Sequence, residues 1–89
     1  MSTAVRPEPR IKTVEVSDTM ITAHLTDGRI ISVPLTWSWR LSAATPEQRA
    51  NFRLIADGCG IRWPDVDEDI SAQGMLTGVP APRPNRRTQ

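Results

Sequence analysis

Between residues 11 and 35 the apolar positions recur at every second place. In "IKTVEV" Val14 and Val16 alternate with Thr13 and Glu15, and in "MITAHL" Ile21, Ala23 and Leu25 share one side. "IISVPL" sets Ile31, Val33 and Leu35 on one side in the same way. A period of two belongs to a half-buried strand, so this stretch predicts a three-stranded antiparallel meander. "SDT" supplies the first turn. Asp27-Gly28, between two apolar runs, is a strong signal for the second.

That second turn raises a question of register. A plain two-residue turn pairs Leu25 with Ile30 and leaves Ile31 and Val33 opposite His24 and Thr22. One extra residue beside Gly28 slides Ile31 to the face of Leu25 and unites the apolar sets. The bulged hairpin is the favoured reading, and a sheet covered on both faces is the other. Pro34 has no N–H to donate, so the third strand should end there or lie at an edge.

Past residue 35 the period changes. Residues 36–44 (TWSWRLSAA) fit either an extended run alternating Trp37, Trp39 and Leu41 or a short helical turn. "TPEQRANFRLIADG" predicts a helix, with Thr45 as N-cap, Pro46 at the first helical position and Gln48 closing a capping box. Phe52 and Ile55 would share its buried face, flanked by Arg49 and Arg53, and Gly58 would be its left-handed stop. Ile61 and Trp63 fit a fourth short strand near 60–63. Residues 67–77 predict a second helix with Ile70 and Leu76 inward and Gly78 at its end. The expected class is α+β: a three-stranded meander followed by short helices packed on the sheet.

Composition narrows the picture. The chain has 89 residues, enough for one small domain. Residues 1–10 and 79–89 are rich in proline and poor in large apolar groups. They are expected to be flexible tails around a single domain at 11–78. A core of that size supplies only about 3–5 kcal/mol, which makes a protein partner or a homodimer a natural source of further stability.

The net charge of +1 conceals a segregation. The two tails carry five arginines against Glu8, while residues 11–78 carry nine acids against six basic residues. An acidic body does not suit nucleic acid, whose phosphates require clustered Lys and Arg. The alternative on this axis is a small regulator that binds nucleic acid through Arg83, Arg86 and Arg87 of the C-terminal tail. Cys59 is the only cysteine, which excludes an internal disulfide and suits a reducing cytosol. The chain shows neither an apolar signal segment nor a long apolar run, so a cytoplasmic protein without membrane insertion is expected.

"WPDVDEDIS", residues 63–71, holds the densest candidate chemistry. Asp65, Asp67 and Asp69 have the spacing that opens a calcium loop. The template then fails, because Ile70 stands where a glycine is needed and Leu76 where a bidentate Glu is needed. Carboxylates at a helix entrance are the simpler reading, since they complement the free N–H groups there. Four carboxylates, Asp65, Asp67, Glu68 and Asp69, exceed what capping requires and make an acidic patch for a basic partner.

Acid–base catalysis would need one of these groups in an apolar pocket, and the run around them is polar. His24 is the only histidine, too few soft ligands for zinc. A partly exposed strand position suits it better. No nucleophile motif or phosphate-binding glycine loop is present. Neither an enzyme, a cofactor nor a metal site is therefore expected.

Trp37, Trp39, Trp63 and Phe52 are the whole aromatic set. Core packing is the expectation for Trp63 and for one of Trp37 and Trp39. The other tryptophan, beside Arg40, would then face solvent in the manner of an interface hot spot. Stacking on single-stranded nucleic acid would need the same exposure, and the acidic body argues against it.

The run from Asp27 to Gly78 resembles a small bacterial family, the domain of unknown function numbered 2442. The resemblance rests on Asp27-Gly28-Arg29, Val33-Pro34-Leu35 with Trp37, Ala44 through Phe52, Gly58 through Pro64 and Asp65 through Ser71. Members commonly have Trp where Phe52 stands and His where Arg62 stands, so a histidine mechanism does not carry over. The resemblance implies a compact α+β domain with strands first and no established enzymatic activity. It also implies partners of toxin–antitoxin type, and a helix-turn-helix domain in some relatives that is not expected in these 89 residues. The resulting expectation is a non-enzymatic protein-interaction module, antitoxin-like towards a small basic toxin. Asp65, Asp67, Glu68, Asp69, Trp37, Trp39 and Arg40 would contact the partner.

Overall fold

The computed structural model describes residues 9–78. The tail segments 1–8 and 79–89, with Arg83, Arg86 and Arg87, lie outside these residues. Strands β1 (Ile11–Val16), β2 (Met20–Leu25) and β3 (Ile30–Pro34) form the antiparallel meander expected from their period of two. Val14 opposes Ala23, Val16 opposes Ile21, and Ile21 opposes Val33, so the alternating apolar sets share one face. Ile11 reaches that face from the wrong parity because a bulge lies between Ile11 and Thr13.

The β2–β3 turn takes the bulged form. Ala23 faces Ile31, and the Leu25 N–H donates to the Arg29 carbonyl at 2.8 Å, one residue away from the plain register. Gly28 makes this work with φ +96°, which side chains other than hydrogen rarely adopt. Asp27 ties the turn by accepting from the Arg29 backbone N–H at 3.1 Å and from its Nε at 2.9 Å. The backbone N–H of Arg29 and then its guanidinium hold the Asp27 carboxyl below its ordinary value of 3.8. A depressed carboxyl stabilises the fold above the unfolded value, and that contribution is lost as pH falls through the folded one. A carbon-detected titration should therefore place the Asp27 midpoint below 3.8. A midpoint at or above that value would show that the turn contacts do not persist in solution.

After β3, which ends at Pro34 on an edge of the sheet, the chain makes a 3₁₀ turn (Leu35–Trp37) and one turn of helix, α1 (Trp39–Ser42). The helical alternative for 36–44 is thus the correct one. Helix α2 (Pro46–Ala50) has the full capping box. Thr45 Oγ1 accepts from the Gln48 N–H at 3.1 Å, and Gln48 Oε1 accepts from the Thr45 N–H at 3.0 Å.

The expected continuation of α2 to residue 57 does not form. Strand β4 (Arg53–Ile55) takes its place and pairs with β5 (Gly60–Trp63), Leu54 opposite Ile61. Between them Ala56, Asp57 and Gly58 all have positive φ, a reversal that a helix cannot contain. Gly58 is left-handed as expected, but it turns a hairpin. Its missing Cβ would stand 3.3 Å from the Ile11 carbonyl oxygen, which brings this turn against β1. Arg10, expected in the tail, pairs there with Asp57.

The second expected helix is also shorter. Residues 68–71 form β6 (Glu68–Ser71), antiparallel to β5, and only Ala72–Thr77 form α3. Ser71 is the true N-cap, its Oγ accepting from the Gly74 N–H at 2.8 Å, and Gly78 closes the helix at φ +84°. Met75 is buried, whereas Leu76, expected inward, is 42% exposed.

Among the described residues there are thus two three-stranded antiparallel sheets, β1-β2-β3 and β4-β5-β6. One apolar cluster joins them, with Ile21, Ala23, Leu25 and Val33 from the first and Ile61 and Trp63 from the second. Ile11 and Val14 of β1, with Leu35, Leu41, Ala72 and Met75, complete it. This is an α+β fold, with strand content that sequence periodicity underestimates.

Candidate functional site

The described candidate residues fall on the 3₁₀ turn with α1 and on the neighbouring β5–β6 hairpin. Asp65 and Asp67 lie in the loop between Trp63 and Glu68, where the Val66 N–H donates to the Trp63 carbonyl at 3.3 Å. Asp67 closes the loop with φ +56°, a conformation that Asp tolerates better than most residues. The acidic run is therefore a hairpin turn and not a helix entrance. The reason is non-local: β6 gains ladder bonds by pairing Glu68 to Ser71 with Trp63 to Gly60.

The four acids do not form one patch. Asp65 accepts from the Asn51 amide at 3.0 Å. Asp67 and Asp69 each accept from Arg62, both at 2.9 Å, and these hydrogen bonds, Asp67 first, push the Arg62 guanidinium further towards its charged form. Arg62, which removes the histidine expected of the resembling family at this place, draws two carboxylates together. Glu68 points the other way. It is only 3% exposed, which removes it from the proposed partner surface.

Glu68 instead joins the hairpin to α1. Its Oε2 accepts from Ser38 Oγ at 2.6 Å, its Oε1 accepts from the Asp69 N–H at 3.1 Å, and Arg40 lies 3.7 Å away. Ser38 is fully buried and also caps α1 by accepting from the Leu41 N–H at 3.1 Å. A buried Ser–Glu contact thus links residues 30 positions apart. The sequence signals the cap, a Ser before an apolar run, but nothing in it pairs Ser38 with Glu68.

The tryptophans separate by role. Trp63 is fully buried, with Nε1 donating to the Arg49 carbonyl at 2.9 Å. Trp37 is half-buried and packs against the core. Trp39 is half-buried too, so neither of the pair is fully exposed, and the two do not alternate along a strand. The Arg40 guanidinium lies over the Trp39 ring, 4.6 Å from its centroid, which matches a cation–π contact. Trp39 and Arg40 thus sit together on α1, next to the buried carboxylate that anchors it.

The remaining candidates are quieter. His24 occupies a half-buried strand position, as expected, with Nε2 3.5 Å from the Glu15 carboxylate. Cys59 is half-buried in the turn before β5. Among the described residues no three His, Cys, Asp or Glu side chains group to hold a metal ion. No helix among them is long and apolar enough to cross a membrane.

Two solved structures share the fold. One is a protein of unknown function from Rhodospirillum rubrum, 23% identical, with a TM-score of 0.73 over 86% of this chain and 95% of that one. The other is an uncharacterised protein from Chromobacterium violaceum, also 23% identical, with a TM-score of 0.70 over 82% of this chain and 69% of that one. At this identity the likeness concerns the fold. No curated protein matches the sequence. The profile of the family described as "Protein of unknown function (DUF2442)" matches residues 11–81, the meander, both short hairpins and the acidic turn together, and the chain belongs to that family.

Proposed function

We propose that this chain is a non-enzymatic, cytosolic protein-interaction module of bacteria. The carrying observation is the Trp39–Arg40 pair, a half-buried indole with a guanidinium stacked on it. Trp and Arg are the residues that most often dominate interface energies, and a ring already held in place loses little freedom on binding. In its narrower form the reading is an antitoxin-like partner of a small basic toxin. One guanidinium, Arg62, against the three carboxylates of Asp65, Asp67 and Asp69 leaves the hairpin acidic, which complements a basic nucleic-acid-cleaving surface.

The test is affinity purification from the native bacterium, comparing the parent with Trp39→Ala/Arg40→Ala. The parent should retain a stoichiometric small protein. The double variant, still folding cooperatively and melting within about 10 °C of the parent, should bind it about thirtyfold more weakly, or about 2 kcal/mol. A parent that elutes alone, or a partner held equally by both forms, defeats the proposal.

A further inference from the structure

A second surface, sharing no residue with Trp39, Arg40 or the acidic turn, lies along the free edge of β1. The hydrogen bonds fix which backbone groups face it. Ser17 N–H donates to the Met20 carbonyl at 2.9 Å, and on the other side of β2 the Leu25 and Leu35 N–H groups pair with Arg29 and Thr19. A central strand alternates its bonds between neighbours, so Met20, Thr22 and His24 bond to β1 while Ile21, Ala23 and Leu25 bond to β3. Val14 and Val16, opposite Ala23 and Ile21, are therefore at the non-bonded positions of β1. Their N–H and C=O groups point away from the sheet. Among the described residues no backbone bond outside the ladders takes them up.

An unpaired strand edge usually faces open water or is covered. This one faces a cavity of about 300 Å³, walled on the far side by Pro46 and Ala50 of α2 and by Phe52. Val14 is only 4% exposed, so its outward amide lies in a recess. At the rim Asp18 is almost fully exposed and holds Arg49 at 3.0 Å, and the Glu15 carboxylate is largely exposed. Arg49 is committed elsewhere as well, donating to the carbonyls of Leu41 at 3.0 Å and Ser42 at 3.2 Å. The groove thus offers alternating backbone donors and acceptors, an apolar wall and a negative rim.

We infer that the groove between β1 and α2 binds an extended segment of a partner protein, added as a strand beside Val14 and Val16. Backbone pairing supplies the register. Apolar side chains at alternate positions fill the space against Phe52, Pro46 and Ala50. A Lys or Arg at the segment's end meets Glu15 and Asp18, while an acidic segment is repelled.

Selection from a displayed library of random heptapeptides against the immobilised full chain tests this. Enriched peptides should alternate apolar residues and carry Lys or Arg. Ala50→Trp fills the groove from an exposed position of α2 and should weaken them at least about tenfold. N-methylation of the peptides' alternate amides, which removes strand pairing without any change to the protein, should cost about as much. Glu15→Gln should cost only about two- to fivefold.

The absence of enrichment overturns the inference. So do peptides indifferent to Ala50→Trp or to N-methylation. Sedimentation as a dimer that Ala50→Trp dissociates would show that a second copy of the chain occupies the edge, and would overturn it too.

Discussion

Trp63→Ala should leave the chain largely unfolded at 25 °C. The side chain is completely buried at the centre of the cluster shared by both sheets, and it is the largest residue there. Replacing a buried Trp by Ala costs about 3–5 kcal/mol through lost transfer energy and the cavity left behind. A core of this size supplies about the same amount in total. The change also leaves the Arg49 carbonyl without its donor, and Arg49 is the residue that holds α1 to α2. Trp39→Ala, at a half-buried position, should cost far less, about 1 kcal/mol. Urea unfolding followed by circular dichroism separates the cases. A cooperative Trp63→Ala transition within about 1 kcal/mol of the parent would contradict this account of the core.

Glu68→Ala should cost about 2–3 kcal/mol, more than any change to Asp65, Asp67 or Asp69. The Glu68 carboxylate accepts from the Ser38 hydroxyl and the Asp69 amide in a site closed to water, and it lies beside Arg40. Truncation strands the hydroxyl and the amide without an acceptor. Arg40 is partly exposed and can turn to solvent, so its charge adds little to the cost. Ser38→Ala removes the same contact and the α1 cap, and should cost about 2 kcal/mol. Because both variants delete one interaction, their effects should be less than additive, with a coupling of about 1–2 kcal/mol in a double-mutant cycle. Full additivity would mean that the 2.6 Å contact contributes nothing. The comparison also separates stability from binding: Asp65→Asn or Asp69→Asn bears on a partner, whereas Glu68→Ala acts on the fold.

The candidate site was legible in its parts and not in its assembly. Trp39 and Arg40 stand out because aromatic residues are few, and the acids stand out by their density. That Glu68 leaves the acidic set and closes on Ser38 depends on strand parity. Opposite Trp63, it must share the face of that buried ring. One residue's shift in register would have exposed it and buried Asp69.

What the sequence determined by itself is everything governed by neighbours a few positions apart. Gly28 permits a tight β2–β3 turn by taking the positive φ it needs, and the alternating apolar sets on either side select the bulged register. Thr45, Pro46 and Gln48 start α2, since the capping bonds span three residues, and Gly78 ends α3 in the same local way. The period of two in residues 11–35 sets the first sheet. Tertiary structure alone decided the second. The spacing of Phe52 and Ile55 suits a helical face, and the acids before Ile70 suit a helix entrance. Both segments became strands because β5, apolar at Ile61 and Trp63, offers two edges whose ladder bonds and burial outweigh the small local preference for a helix.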